Sequence, residues 1–204
     1  MPHPKYKKLS RDFYNRPTLD VCQDILGKYI VFNQSDCKLS AKIVEVEAYI
    51  GTNDPASHAF RGKTARNRPM FGPPGFSYIY LIYGMYHCFN IVTESEGQAA
   101  AILLRGAEPD EGIDFFRFYS KVRKDYQLLN GPGKFCRSFN MNLEQNNIDL
   151  TGKLIDLEDR NHKVAKIKKS SRIGIKDGQD KLWRFYDNDS SAVSIKKKKL
   201  NVGV

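Results

Sequence analysis

The sequence has few cysteines and no long apolar run. Its four cysteines lie far apart, with no pair at the spacing of a zinc knuckle or a redox motif. We therefore expect reduced thiols, which are typical of cytosolic proteins. No segment is apolar over the roughly 20 residues that a bilayer-spanning helix needs, so we expect no membrane partner. The cysteines are Cys22, Cys37, Cys88 and Cys136.

The sequence has fewer acidic than basic residues. Asp and Glu number 23 against 33 Lys and Arg, which gives a formal net charge of +10 at pH 7. Such a surplus favours polyanionic partners, because phosphate contacts release counterions. A bias towards solubility explains the same charge without any ligand. The basic residues Lys7 and Lys8 are followed by Leu-Ser-Arg-Asp at 9–12, where a signal peptide requires an apolar stretch; we expect no secretion.

Hydrophobic periodicity and turn residues predict a single mixed α+β domain, in which helices surround an antiparallel β-sheet and one β-hairpin protrudes. Residues 1–12 are predicted as a loose basic arm, and residues 13–204 as the domain. A helix is expected to have Thr18 as its N-cap and to stop at Gly27. Further helices are predicted at residues 111–123 and 132–139, and strands at 29–32, 41–50, 77–82, 86–93, 99–105, 154–157, 182–186 and 193–195.

Residues 51–76 are rich in glycine and proline. They predict a long ordered loop, and loops of that length in compact domains usually carry function. Cationic residues are concentrated within it, which indicates either a solvated face or a contact with phosphate groups. The pattern favours neither interpretation. These residues are Arg61, Lys63, Arg66 and Arg68.

One predicted strand carries two carboxylates in alternation. Successive side chains of a strand point to opposite faces, so Glu45, Glu47 and Tyr49 are expected to share one face. Ile43 is expected on that face as well. Three interpretations remain open: surface acids on a hairpin, a metal site completed by Asp54, and a general base whose proton affinity rises beside apolar rings.

The hairpin predicted at residues 77–93 is rich in tyrosine. Tyr78 and Tyr80 are expected on one strand face, and Tyr83 near a turn at Gly84. Packing within an ordinary sheet is one explanation. The other is that an aromatic side chain at the tip enters the minor groove of DNA and separates stacked bases.

A series of motifs extends along nearly the whole chain, from about Phe13 to Ile195. The motifs are Ile43-Val44-Glu45-Val46-Glu47-Ala48-Tyr49, Asp54-Pro55-Ala56-Ser57-His58, Arg66-Asn67-Arg68, Met70-Phe71, Tyr80-Leu81-Ile82-Tyr83-Gly84-Met85-Tyr86, Asn90, Leu103-Leu104-Arg105, Gly131-Pro132 with Lys134, and Arg172-Ile173-Gly174. In this order they resemble the alkyladenine (3-methyladenine) DNA glycosylase family. The loop at residues 60–63 departs from some eukaryotic members, and the short N-terminal region is closer to the bacterial branch.

The resemblance implies catalytic and DNA-inserting residues. Glu47 would be the general base that takes a proton from the attacking water, and Arg105 would help to hold that water. Tyr83 would fill the gap that a flipped nucleotide leaves in the base stack. Met85 and Tyr86 would line the same wedge.

It also implies a pocket for the flipped base. Tyr49 and Tyr80 would sandwich the base, and His58 would hold it by hydrogen bonding. Ile173 would help to close the pocket. Asn90 would crowd the amino group of a normal guanine and so exclude it.

The function that the resemblance implies is that of a monofunctional DNA glycosylase of base excision repair. It would bind double-stranded DNA through the minor groove, flip alkylated or deaminated purines (of the 3-methyladenine, 7-methylguanine and hypoxanthine type) out of the duplex and release them by hydrolysis, leaving an abasic site. No lysine matches a catalytic position, so no Schiff base is expected. We expect a cytoplasmic monomer (nucleoid-associated in bacteria, nuclear in eukaryotes) that uses no metal or organic cofactor. A non-catalytic DNA-binding module and a metal-dependent nuclease remain the alternatives.

Overall fold

The structure, a computed structural model, describes residues 6–34 and 37–195. Four helices and nine strands occur in these ranges, together with short 3-10 helices at Arg68–Phe71, Asp125–Gln127 and Leu143–Gln145. No helix among them is long and apolar enough to cross a membrane. In chain order the elements are β1 (Lys7–Lys8), α1 (Arg11–Tyr14), α2 (Thr18–Asp24), β2 (Tyr29–Asn33), β3 (Lys38–Ile50), β4 (Ser77–Ile82), β5 (Tyr86–Val92), β6 (Ala100–Pro109), α3 (Ile113–Tyr119), α4 (Pro132–Ser138), β7 (Ile155–Asp159), β8 (Ile167–Ser170) and β9 (Arg184–Asp187).

All nine described strands belong to one antiparallel sheet, which confirms the predicted α+β class. Seven of them follow the order β1-β7-β2-β3-β6-β5-β4. The long strand β3 is the branch point, because it pairs with β2 near its start and with β9 across Glu45–Glu47. Both predicted hairpins, β2–β3 and β4–β5, are present. The second lies at the end of the sheet order, and its tip is exposed.

The two faces of the sheet have different roles, as strand β5 illustrates. Phe89 and Ile91 belong to the main apolar core with Phe135 of α4. Asn90 and Val92, which alternate with them, point to the other face. Burial of the apolar face fixes the register of each strand. The polar residues at alternate positions are therefore brought together on the opposite side.

A β-bulge in β3 corrects one expectation about side-chain direction. The pairing of β3 with β6 is irregular between Ile43 and Val46, with a register shift on each side of Glu45, and the alternation reverses there. Ile43 therefore packs in the main core with Val46 and Ala48, rather than on the face of Glu45 as predicted. The alternation from Glu45 onwards is unaffected.

Several predicted elements differ at the ends of the chain. Lys7–Lys8 form a strand against β7, and a helical turn begins at Arg11, so the described part of the predicted loose arm is ordered. The strand predicted at residues 193–195 is wrong, because Ser194 is hydrogen-bonded to Glu45 instead. Strand β8 was not predicted, since its sequence Ile-Lys-Lys-Ser is polar and largely exposed.

Thr18 was predicted to cap α2 but is its first helical residue, after Pro17. Its amide and hydroxyl groups donate to Glu94 at 3.2 and 2.5 Å. A carboxylate from a distant turn therefore satisfies the free amide of the helix start.

Candidate active site

A cavity of about 700 Å³ opens on the polar face of the sheet, between β3, the β4–β5 hairpin, the start of α4 and residues 173–175. Eight of the ten predicted site residues line it. They are Tyr49, His58, Tyr80, Tyr83, Tyr86, Asn90, Arg105 and Ile173. Glu47 lies directly behind the wall, in contact with three of these residues, and Met85 lies at the hairpin tip. Residues that are distant in sequence thus meet at one place.

Glu47 is fully buried, and three donors hold its carboxylate. The amide of Ile173 donates to Oε1 at 2.7 Å, and the Tyr49 hydroxyl donates to Oε2 at 2.9 Å. Arg105 Nη1 lies 3.3 Å from Oε2. Burial raises the pKa of Glu47 above its ordinary value of 4.5, while the charge of Arg105 and the two other donors act in the opposite direction. A carboxylate in this state is a stronger base than one in water.

Arg105 extends from β6 between two buried carboxylates. Its Nε lies 3.4 Å from Glu45 Oε1, in addition to its contact with Glu47. Arg184 donates to the same oxygen of Glu45 at 2.6 Å, and Ser194 donates to both oxygens of that carboxylate. Since Glu45 is occupied by these donors, it holds Arg105 from behind and presents no free oxygen to the cavity.

The carboxylates considered as metal ligands do not converge. Asp54 binds Arg172 through both oxygens, and Glu45 binds Arg184. No group of three or more metal-binding side chains occurs among residues 6–34 and 37–195. The donor set therefore does not fit the metal-dependent alternative.

One wall of the cavity is aromatic and neutral. The rings of His58 and Tyr80 are 4.5 Å apart at 73°, and His58 Nδ1 shares a hydrogen bond of 2.9 Å with the Tyr78 hydroxyl. Burial lowers the pKa of His58, and the nearby charge of Arg66 lowers it further. Burial raises the pKa of Tyr78 to about 12 and also raises that of Tyr80. All three side chains are therefore uncharged at neutral pH.

Tyr49 provides a second aromatic surface. Burial raises its pKa, as does the charge of Glu47, to which its hydroxyl donates. The guanidinium of Arg172 lies 4.7 Å from the centre of its ring. Sequence reasoning missed this contact and the Asp54–Arg172 pair, because the two partners are 118 positions apart and no local pattern links them.

Asn90 is buried beside the aromatic wall. Its amide nitrogen donates to the carbonyl oxygens of Tyr78 at 2.9 Å and Cys88 at 3.3 Å. Both hydrogens of that nitrogen are used, so the side chain is held in one orientation. It therefore forms a rigid part of the cavity surface.

The hairpin tip exposes three large side chains beside the cavity. Tyr83 is 80% exposed, Met85 66% and Tyr86 41%. Tyr83 and Gly84 both have positive φ, at 54° and 66°, which produces the sharp reversal between β4 and β5. A Cβ atom on Gly133 would lie 3.2 Å from the Tyr86 side chain, so Tyr86 packs closely against the start of α4. The tip is thus anchored at its base and exposed at its end.

The loop that carries His58 is organised around a buried asparagine. The side chain of Asn67 donates to the carbonyl oxygens of His58 and Gly62 and accepts from the amide of Thr64. The four cationic side chains predicted in this loop are exposed. One of them, Arg66, donates to the carbonyl of Leu81 and lies 5.4 Å from the ring centre of Tyr80. Positive charge therefore flanks the cavity entrance.

Comparison with known proteins agrees with this geometry. The family model for methylpurine-DNA glycosylase (MPG) matches residues 12–191, a range that contains every cavity-lining residue. The chain belongs to the methylpurine-DNA glycosylase family. It is accordingly an enzyme of DNA repair by base excision, a hydrolase acting on N-glycosyl bonds whose partner is DNA.

Relatives of this methylpurine-DNA glycosylase family member come from archaea and bacteria. The chain is 48% identical to a protein of Methanocella arvoryzae over 91% of its own length and 95% of the relative's. It is 46% identical to one of Alkaliphilus oremlandii, over 93% and 100% of the two chains, and 49% identical to one of Sodalis glossinidius, over 87% and 95%. Each relative is named as a candidate 3-methyladenine DNA glycosylase.

Proposed function

We propose that this enzyme extrudes an alkylated or deaminated purine nucleotide from duplex DNA into the cavity and hydrolyses its bond to deoxyribose. The names of the relatives support 3-methyladenine as one substrate; 7-methylguanine is likewise an alkylated purine, and hypoxanthine is the deaminated purine of the proposal. The observation that carries the proposal is the buried Glu47 carboxylate, held by three donors behind a cavity with aromatic walls. The products are a free base and an abasic site.

Glu47 acts as the general base. A carboxylate has about four acceptor positions, and the three donors leave one on Oε1 for a water molecule. That water transfers a proton to Glu47 as its oxygen bonds to C1′ of the sugar. The bond from C1′ to the purine breaks, its electron pair stays with the base, and a cationic alkylated base leaves neutral. The carboxylate also stabilises the positive charge that develops on the sugar, and Arg105 helps to hold the water.

The aromatic walls receive the flipped base. Tyr49 and Tyr80 stack on its two sides, and a cationic purine gains attraction from their electron-rich faces, about 0.5–2 kcal/mol for each contact. Arg172 covers one face of Tyr49, so the base uses the other. Neutral His58 hydrogen-bonds to the base without repelling its charge. Ile173 closes the pocket.

Discrimination and extrusion depend on the remaining residues. Rigid Asn90 crowds the amino group of guanine and excludes the normal base. Tyr83 enters the minor groove and occupies the vacated position in the stack, with Met85 and Tyr86 beside it. This offsets the cost of flipping, which is on the order of a few kcal/mol. The enzyme works as a monomer and uses no cofactor.

Product analysis tests the reaction. The enzyme is incubated with duplexes that each contain one lesion, and released bases are quantified by mass spectrometry with and without EDTA. We expect free purine in both cases and strand breaks only after alkali treatment. Strand cleavage that requires a divalent metal, or DNA binding with no base release, would support one of the alternatives instead.

A further inference from the structure

Asp54 and Arg172 form a forked ion pair beside the active site. Arg172 Nη1 lies 2.5 Å from Asp54 Oδ2, and Nη2 lies 2.7 Å from Oδ1. Both side chains are completely buried. A buried pair of this kind often contributes little net stability, because desolvation offsets the attraction. Its presence next to the cavity therefore calls for an explanation other than stability.

The pair connects three segments that carry active-site groups. Arg172 also donates to the carbonyl of Ala48, the residue between Glu47 and Tyr49 in β3, at 2.9 Å. Asp54 accepts from the amides of Ile50 and Ala56, at the end of β3 and at the start of the loop that leads to His58.

Arg172 adjoins two active-site residues: Ile173 follows it in the chain, and the ring of Tyr49 lies against its guanidinium. The residue after Arg172 is Ile173, whose amide donates to Glu47 at 2.7 Å. The guanidinium itself lies against the rings of Tyr49 and Trp183, at 4.7 and 5.2 Å from their centres. Movement of Arg172 would therefore displace a donor to Glu47 and the ring on which the base stacks.

We propose that the Asp54–Arg172 pair is a positioning device, which aligns the Ile173 amide with Glu47 and fixes the plane of Tyr49. This inference depends on the proposed role of Glu47 as general base. Neither residue of the pair touches the substrate. The pair acts through the amide and the ring that it holds.

The charge state of Glu47 provides the readout. The Ile173 amide favours the ionised carboxylate, so loss of its alignment raises the pKa of Glu47. The Tyr49 hydroxyl acts in the same direction as the amide, so displacement of its ring adds to the effect. The other groups that face Glu47 are not bonded to the pair, and they are Arg105 on β6, Glu45 on β3, Cys22 on α2 and Cys88 on β5. The acid limb of the rate profile should therefore move to higher pH.

The test compares a charge-neutral double variant, Asp54→Asn with Arg172→Met, with the single variant Arg172→Lys. Single-turnover base release is measured across pH. Arg160→Met is the matched control, because Arg160 also binds carboxylates and lies against two tyrosine rings but does not line the cavity. We expect the double variant to lose about 10- to 100-fold in rate at neutral pH, with its acid limb shifted upwards. The rate and the acid limb of Arg172→Lys should lie between those of the double variant and the wild type.

The control variant should keep the wild-type rate and pH profile even if its unfolding temperature falls. The inference is overturned if the acid limb of either pair variant coincides with that of the wild type, or if Arg160→Met shifts it equally. If the double variant does not fold, the position of the acid limb of Arg172→Lys alone tests the inference. If Glu47→Gln retains full activity, the proposed function fails first, and the two failures are thereby distinguished.

Discussion

Replacing Tyr83 with glycine should make the folded protein more stable and lower its affinity for DNA that contains a lesion. Tyr83 adopts a left-handed backbone conformation, with φ of 54°, at the tip of the β4–β5 hairpin. A non-glycine residue in this conformation is strained by about 1–2 kcal/mol. Because four fifths of the residue is exposed, it recovers little of that cost through packing. Strain at an exposed aromatic residue is typical of a functional position.

The two effects of Tyr83→Gly can be estimated separately. Relief of strain contributes about 1–2 kcal/mol, and the greater freedom of glycine in the unfolded chain removes about 0.5–1 kcal/mol. The net gain of about 0–1.5 kcal/mol corresponds to a rise in Tm of at most roughly 6 °C for a chain of this size. Loss of the inserted ring removes a stacking contact of about 1–3 kcal/mol, which weakens lesion binding about 5- to 150-fold.

Thermal unfolding and equilibrium DNA binding at one fixed salt concentration measure these effects. The lesion nucleotide carries a 2′-fluoro group, which slows hydrolysis, and an undamaged duplex of the same sequence reports general affinity. Asn161→Gly is the control, since Asn161 has φ of 59° but lies after β7, outside the cavity wall. This control should change neither the affinity for the lesion duplex nor the affinity for the undamaged duplex. A lower Tm for Tyr83→Gly, or lesion binding equal to wild type, would refute the reasoning.

Two further predictions concern catalysis and selectivity. Since burial raises the pKa of Glu47 above 4.5 and the base must be ionised, the single-turnover rate should fall as pH decreases, with the midpoint of the acid limb above 4.5; a midpoint at or below 4.5 would contradict this. Asn90→Ala opens space on the rigid cavity surface, so release of normal guanine from undamaged DNA should increase while release of 3-methyladenine changes little. Unchanged guanine release would remove Asn90 from its proposed role.

Local sequence patterns predicted the strand that carries the catalytic candidates. Alternation correctly placed Glu45, Glu47 and Tyr49 on one face, because β3 pairs regularly with β9 across Glu45–Glu47 and with β6 from Val46 onwards. It failed at Ile43, on the other side of the bulge. The bulge arises in the pairing with β6, whose residues are more than fifty positions away, so no local pattern reveals it.

Long-range contacts account for the other differences. Glu45 is held by Arg184 and Ser194, which are 139 and 149 positions away from it in the chain. The Asp54–Arg172 pair spans 118 positions. The apolar stretch at 193–195 has strand-like composition, yet it is used for hydrogen bonds to a buried carboxylate. Secondary-structure propensity describes a segment in isolation, whereas the active site depends on which distant segments the folded sheet places side by side.

The role of Glu47 is tested most directly by Glu47→Gln, which keeps the size of the side chain but removes the base. Because burial favours the uncharged form, stability associated with Glu47 decreases as pH rises from 4.5 through its raised pKa, so the variant should unfold at a higher temperature than wild type at neutral pH. Single-turnover release of 3-methyladenine should be about 10²- to 10⁴-fold slower, with lesion affinity retained. A folded Glu47→Gln variant that releases the base within a few-fold of the wild-type rate would contradict the mechanism.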